Sequence, residues 1–380
     1  MSKKSIIILI IIFLLFSVFS YFVGFYTGKG LSSPIEPFSS SKFKLLTEVA
    51  EYIEERFVDK KTEIDLCRGL VKSLDDPYSE FYTPDEFASF QEETRGEYVG
   101  IGVLIGVREG KVKILMVFKN SPAKEVGLPE GAYIMEVDGK NIKGMSLDEV
   151  ANLVKGKEGT YVDLKVEKDG KLLSFHIQRR KVTAESVMVK RLNEDIGYMK
   201  IIFFIPSTPG EVKEAFNKLK GMKGLILDLR GNPGGLLSSV EGVAGYFIPE
   251  GPLLYIQRKD EKEERVSRGP GIKIPLVVLI DENTASAAEI LSGAIKDRNV
   301  GTLVGTKTYG KGVIQTIFNL SDGYGLKITT ERYLTPNMYS LDKKGIEPDI
   351  EVKYTDEDLK KGIDPQLNKA LEIIKEKIGE

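Results

Sequence analysis

Apolar and polar positions change their rhythm several times along the chain. After Lys3 and Lys4, residues 5–28 carry no charge and are mostly Ile, Leu, Phe and Val. A helix rising about 1.5 Å per residue would reach about 36 Å over that run, enough to cross a hydrocarbon core about 30 Å thick. The preceding lysines, with no further basic residue until Lys29, predict an N-inside, C-outside membrane anchor over 1–28. A cleaved signal peptide is the alternative, with Val18 and Ser20 as small residues before the cut, although Tyr21 and Tyr26 prolong the apolar run in the manner of an interface anchor. Ser and Pro then dominate 29–41, which predicts a flexible linker. Helical spacing follows in Leu45, Leu46, Val49, Ile53 and Phe57, and again from Glu63 to Leu74, so 42–94 reads as a helical segment packing on the core. Asp75-Asp76-Pro77-Tyr78-Ser79 breaks that pattern and reads as a turn.

From 95 to 180 the period becomes that of strands. Val99–Val107 is apolar and punctuated by glycine, Val112–Phe118 alternates, and Val162–Val166 and Leu172–Ile177 alternate again. Ser146-Leu-Asp-Glu149 has the spacing of a capping box and opens a helix to about Lys155. Tyr98-Val-Gly-Ile-Gly102, Ser121-Pro-Ala123, Gly127-Leu128, Gly131, Val137-Asp-Gly139 and Gly156 together resemble a PDZ domain, with Ala132 where that family usually has aspartate. Beyond 181 the pattern is α/β. Strands are expected at Tyr198–Ile205, Gly224–Leu229 and Pro275–Asp281, and helices at Gly210–Leu219, Leu236–Phe247 and Thr284–Asp297. The charged stretch Lys259–Arg268 reads as a solvated loop, and 353–380 as a helical tail.

Composition narrows the chemistry. The 54 basic and 56 acidic residues leave a net charge of −2, which gives no electrostatic footprint for nucleic acid. One cysteine, Cys67, and one histidine, His176, exclude an intrachain disulfide and make a transition-metal site untenable; no cofactor is expected. Cys67 shares a helical face with Ile64, Leu70, Val71 and Leu74, the setting of a buried structural thiol. His176 lies in an alternating strand-like run, far from any serine motif.

A hydrolase built on this chain therefore needs a base other than histidine. Ser286 follows a predicted strand and a short turn and opens a predicted helix, the geometry that exposes a nucleophile above a sheet. Ser286 and Glu289 also have capping-box spacing, so the segment by itself reads first as a helix cap. Lys311, between Gly310 and Gly312, precedes apolar Val313 and Ile314, which suits an amine held in a dry cleft; an exposed loop lysine is the plainer alternative. At pH 7 an ordinary lysine is neutral in about one molecule in 2,500. Lowering its pKa by about three units costs about 4 kcal/mol, within what burial imposes. Gln315 would orient the amine without adding charge. Gly231-Asn-Pro-Gly-Gly235 places the Gly235 N–H where it can pair with the Ala287 N–H as an oxyanion hole, or is simply a glycine turn. Gly305–Lys311 matches a P-loop up to its lysine, but Gly312 replaces the hydroxyl residue that would bind Mg²⁺. Ser121-Pro-Ala-Lys124 has the Ser-x-x-Lys spacing inside the PDZ-like unit, where Pro122 opposes the helix that motif needs.

Asp76-Pro-Tyr-Ser79, the PDZ-like unit, Asp228-Leu-Arg-Gly-Asn-Pro-Gly-Gly235, Thr284-Ala-Ser-Ala-Ala-Glu289, Lys307-Thr-Tyr-Gly-Lys-Gly312 with Gln315, and Gly345-Ile-Glu-Pro-Asp349 resemble the carboxyl-terminal processing, or tail-specific, proteases over about residues 42–352. Ala288 stands where that family commonly has serine, and Met338 where it commonly has glycine. The resemblance implies an α/β serine protease core (181–352) with an inserted, β-rich PDZ-like domain (95–180). It makes Ser286 the nucleophile, Lys311 the general base, Gln315 its support, and Gly235 with Ala287 the oxyanion hole. It further implies that Tyr98, Val99, Gly100, Ile101 and Gly102 take the free C-terminal tails of extracytoplasmic protein substrates, opposite the helix from Ser146. The competing reading is a membrane-tethered PDZ scaffold with an inactive protease-like core. Self-association and an activating partner are compatible with either.

Overall fold

The computed structural model describes residues 43–108, 110–258, 261–355, 357–358 and 362–379. The expected membrane anchor over 1–28 and linker over 29–41 lie outside the described residues. Among those described, no helix is long and apolar enough to cross a membrane. The chain divides into two units, the first ending at Gly69 and the second beginning at Leu70. Helices Lys44–Arg56 and Glu63–Lys72 bury none of their residues. Of the expected 42–94 segment, strand Glu80–Tyr82 and helix Pro84–Thr94 pack into the second unit, the strand pairing with Gly325–Leu334 and the helix burying Phe87.

The centre of the second unit is a six-stranded sheet in the order Val187–Arg191, Ile196–Ile201, Gly224–Asp228, Leu276–Ile280, Thr302–Gly305, Ile350–Glu351. The first pair is antiparallel and every later pair parallel. Gly224–Asp228 and Leu276–Ile280 are buried throughout, because helices cover both faces of the sheet. Leu225, Leu227, Val278 and Ile280 join the core that includes Val212, Val240, Val243, Ala288 and Leu291 from the helices of one face. Ile226, Val277 and Leu279 point the other way, onto Ala370, Ile373 and Ile374 of helix Pro365–Ile378. The charged tail is therefore the second helical layer of the core. Gly224 is a glycine for the same reason, since a Cβ there would stand 2.4 Å from Ile374 Cγ2.

A second sheet joins Glu80–Tyr82, Gly325–Leu334, Pro249–Arg258, Glu261–Pro270 and Val313–Asn319. It corrects one expectation: most of the stretch read as a loop at 259–268 is strand, with Glu261–Pro270 paired to Pro249–Arg258. Its early positions Glu261–Glu264 are all exposed, so the charge that suggested solvent is compatible with a ladder hydrogen-bonded along one edge. The strand expected at Tyr198–Ile205 ends at Ile201, with Ile202 N–H still donating to Ser186 O, and Phe204 then bridges to Gly235.

The PDZ-like unit has its own core of Ile114, Val137, Val150, Leu164 and Ile177 among others. Its sheet runs Val103–Arg108, Lys111–Val117, Tyr133–Val137, Tyr161–Lys168, Lys171–Gln178, so Val103–Arg108 is an edge strand. The run expected at Val99–Val107 is two strands broken at Gly102, whose φ of 79° and close approach to Ser121 exclude a side chain. Helix Leu147–Val154 starts with the anticipated capping box, Ser146 N–H donating to Glu149 Oε2 at 2.8 Å. Strand Glu97–Gly100 pairs with Arg180–Thr183 where the unit leaves and rejoins the chain.

Replacing Ile374 by alanine tests the role of the tail helix. The fully buried side chain should cost about 3 kcal/mol, read as a lower midpoint in urea unfolding of the full chain.

Candidate active site

Three loops leave the C-terminal ends of adjacent parallel strands and meet above the sheet edge, where open α/β sheets characteristically bind ligands. They follow Asp228, Ile280 and Gly305. Main-chain bonds tie them together: Ala285 N–H to Asn232 O at 2.9 Å, and Tyr309 N–H to Thr284 O at 3.0 Å. Gly231 N–H also donates to Asp281 Oδ1 at 2.9 Å.

Ser286 lies between strand Leu276–Ile280 and helix Ala287–Asp297 at φ 53°, ψ −119°, a conformation L-residues avoid. Such a turn stores about 1–3 kcal/mol and survives only if its surroundings hold it. The hydroxyl makes no capping hydrogen bond. The Glu289 N–H goes instead to Ser286 O at 2.8 Å. Only the carboxylate arm of the capping box is closed, Ser286 N–H donating to Glu289 Oε2 at 2.9 Å. The side chain that the helix-cap reading would occupy is left available.

Glu289 does more than cap. Fully buried, its carboxylate also accepts from Thr308 Oγ1 at 2.6 Å, Gly310 N–H at 2.7 Å and Lys311 N–H at 2.9 Å. Burial raises its pKa, and the Thr308, Lys311, Gly310 and Ser286 donors oppose the rise. All four partners donate, so the ionised form satisfies every one of them. Tyr333, 1% exposed, adds a second bridge, its hydroxyl reaching Lys311 O at 2.6 Å and Ser286 O at 3.2 Å. Sequence reasoning missed both roles. The Ser286–Glu289 spacing was visible, but nothing local pairs Glu289 with residues 308–311.

A cavity of about 550 Å³ opens over these loops, lined by Ser286, Ala287, Lys311, Gln315 and Gly235 along with Leu236, Ile290, Val313 and Ile314. The structure thus brings all five candidate residues to one cleft. No hydrogen bond links Lys311 Nζ to Ser286 Oγ; the amine lies 4.4 Å from the centre of the Tyr78 ring. Burial pushes the Lys311 pKa down, Lys327 helps, and Asp76 and Glu289 pull it back up. Carboxylates are therefore nearby, contrary to the neutral surroundings expected, but desolvation outweighs them. Gln315 Nε2 donates to Thr329 Oγ1 at 3.1 Å, and no hydrogen bond ties it to the lysine.

The glycine loop works differently from the open approach anticipated. A Cβ on Gly235 would stand 2.1 Å from Phe204 O, and one on Gly234 2.7 Å from Ser286 Cβ. Both glycines let the loop lie between a strand end and the serine turn. Asn232, fully buried, pins it by donating from Nδ2 to Ile201 O at 2.9 Å and accepting Gly234 N–H at 2.8 Å. Among the described residues, the Gly235 and Ala287 N–H groups, both bordering the cavity, meet no acceptor. Just ahead of the loop, Arg230 forks onto buried Asp228 at 2.7 Å and onto Asp364 at 2.9 Å. Burial alone would raise Asp228; Lys200 and Arg230 hold it below the usual carboxylate range.

A second cavity, about 300 Å³, lies between Gly100–Ile105 and Ala151, Val154 and Lys155 of the helix that begins after Ser146. Tyr98, Gly100, Ile101 and Gly102 line it as expected, Val99 does not, and edge residues Val103, Leu104 and Ile105 join them. Glu93, Gly96 and Phe203 border both cavities. Among the described residues, no group of three or more His, Cys, Asp or Glu is arranged to hold a metal ion.

Comparison with known proteins follows the same division. The profile of Peptidase family S41 matches residues 195–352, and that of the PDZ domain matches residues 115–168. A solved structure, the photosystem II D1 C-terminal processing protease, is 31% identical with a TM-score of 0.53, over 81% of this chain and 86% of that one. This chain belongs to peptidase family S41. Two curated relatives, each described as a probable CtpA-like serine protease, come from Staphylococcus aureus (strain bovine RF122 / ET3-1), 37% identical over 82% of this chain, and Staphylococcus haemolyticus (strain JCSC1435), 35% identical over 80%. The chain spans 63% and 62% of their respective lengths. In this S41 chain the matched segments hold the three converging loops and, from the second cavity, the helix side with Ala151, Val154 and Lys155.

Glu289→Gln should destabilise the S41 chain by about 2 kcal/mol, because the amide NH₂ must face two donors wherever it points. Thermal unfolding of the full chain reads this, and an unchanged midpoint would remove Glu289 as the clamp.

Proposed function

We propose that this chain is a serine endopeptidase that selects protein substrates by their free C-terminal tails and cleaves them with Ser286 and Lys311. The N-terminal apolar run anchors it in the cytoplasmic membrane, with its catalytic part on the extracytoplasmic side. One observation carries the catalytic reading: a strained, uncapped serine, a half-buried lysine and two undonated N–H groups border one apolar-walled cavity.

The chemistry follows from those groups. Neutral Lys311 Nζ takes the proton from Ser286 Oγ as the oxygen attacks the scissile carbonyl carbon. Negative charge gathers on the carbonyl oxygen, where the Gly235 and Ala287 N–H groups receive it, aided by the positive end of helix Ala287–Asp297. The lysine ammonium then protonates the leaving amine. A water, deprotonated by the same lysine, releases the acyl group and restores the serine. With Nζ resting on Tyr78, the described arrangement is a resting one. The long lysine side chain has rotatable bonds enough to turn toward Ser286 as substrate enters.

Tail selection rests on the PDZ-like groove. An extended tail adds to the open edge of Val103–Arg108, its side chains against Ala151 and Val154, and its carboxylate on the N–H groups of the Gly100–Gly102 turn. Because Glu93, Gly96 and Phe203 border both cavities, the bound tail leads toward the nucleophile without leaving the protein surface.

Cleavage of a peptide ending in apolar residues should vanish in Ser286→Ala and Lys311→Ala but persist in Lys307→Ala, whose exposed ammonium pairs with Glu347 at 2.8 Å. Lys311→Arg should be equally inactive, since a guanidinium does not release its proton. The acid limb of kcat/KM should fall below the ordinary lysine pKa of about 10.4, the neutral amine gaining population as pH rises through its lowered value. Activity in Lys311→Ala comparable to the parent would end the dyad reading. Amidating the peptide's C-terminus should raise KM at least about tenfold, since the groove loses its anion; an unchanged KM would show that tails are not what the groove selects.

A further inference from the structure

The turn Asp76-Pro77-Tyr78-Ser79 precedes the PDZ-like unit and is remote in sequence from Ser286 and Lys311, yet Pro77 and Tyr78 border the catalytic cavity. The turn is braced against the strand beside the lysine: Ser79 Oγ donates to Asp76 Oδ2 and accepts Thr329 N–H at 3.1 Å. Thr329 Oγ1 in turn accepts Gln315 Nε2 at 3.1 Å. Tyr309, two residues before Lys311, lies beside the Tyr78 hydroxyl. Burial, with Tyr309, pushes the phenol up to about 12, so the ring stays neutral across the physiological range. Over its face, 4.4 Å from the ring centre, lies Lys311 Nζ.

An aromatic face attracts an ammonium and is indifferent to a neutral amine. We propose that Tyr78 is a positioning residue for Lys311: its ring holds the lysine ammonium in the cleft, fixing where the amine rests and how readily it gives up its proton. This rests on the assignment of Lys311 as base. The other groups acting on the amine are Asp76 from the same turn, Glu289 from the helix after Ser286, and Lys327 from the neighbouring strand. Asp342, which accepts Gly312 N–H at 3.3 Å, also bears on Tyr78. Tyr78 is the member of this set that prefers the charged lysine without itself being charged. Its removal therefore leaves the cleft's formal charge unchanged.

The test compares full-length Tyr78→Phe, which keeps the ring, with Tyr78→Leu, which keeps apolar bulk alone. Lysine labelled with ¹³C at Cε reports protonation directly by NMR, and the Lys311 signal is the one absent from Lys311→Arg. In Tyr78→Leu, the Lys311 titration and the acid limb of kcat/KM should both move to lower pH by about half a unit to one unit. Its plateau kcat should fall several-fold with KM little changed. Tyr78→Phe should follow the parent in every measurement. A Leu variant that titrates like the parent, or a Phe variant that shifts as far as Leu, overturns the proposal. A shifted titration with an unmoved acid limb upholds the Tyr78 contact and removes Lys311 as the base. Should Tyr78→Leu fail to fold, Tyr78→Met supplies the same comparison.

Discussion

A single buried carboxylate holds the serine turn and the lysine loop of this protein together. Glu289 accepts hydrogen bonds from Ser286, Thr308, Gly310 and Lys311, and so belongs to the serine turn and the lysine loop at once. An anion buried this deeply is tolerated because each of its partners is a donor, and their combined dipoles replace the lost water. The arrangement is self-consistent in both directions. The strained backbone at Ser286 persists because Glu289 and Tyr333 grip it from either side. Thr308 donates to Glu289 while its own oxygen accepts the Ile346 N–H, so the lysine loop is tied to residue 346 as well.

That clamp works only where the sheet delivers its loops. Parallel strands buried on both faces end side by side, and their C-terminal loops have no choice but to meet. The cost of such a sheet is that it needs helices on both sides. The last helix supplies one of them, and Arg230 binds its first turn to the strand end from which the glycine loop departs. Glycines 234 and 235 then allow backbone to lie on backbone where any side chain would collide.

The PDZ-like unit is joined to this core by more than its connecting strands. Met116 and Phe118 from its side pack with Ala184, Met188, Ile202 and Phe203 from the other, and Lys119 reaches Glu214 at 3.1 Å. The contact mixes apolar packing with an exposed ion pair. Phe203 belongs both to this contact and to the wall between the two cavities, so occupancy of the groove and geometry at the cleft share a residue.

Much of this was legible in the residues alone. Apolar runs marked the buried strands, alternation marked the PDZ-like sheet, and Ser286, Lys311 and the glycine loop stood out because their chemistry is written in short local segments. The hairpin strand Glu261–Pro270 was hidden, because a strand hydrogen-bonded along an edge can expose charged side chains and still complete a ladder. The structural part of the tail helix was hidden too, its Ala370, Ile373 and Ile374 being few among many charges. The reach of Glu289 to residues 308–311, the bridge made by Tyr333, the bond from Asn232 to Ile201 and the place of Tyr78 under the lysine had no local sign, since each joins residues far apart in the chain. Local periodicity and residue chemistry depend on neighbours in sequence, and the sequence determined those by itself. Which donor meets Glu289, and which ring lies beneath the lysine, depended on how strand ends stack, and only the tertiary structure decided that.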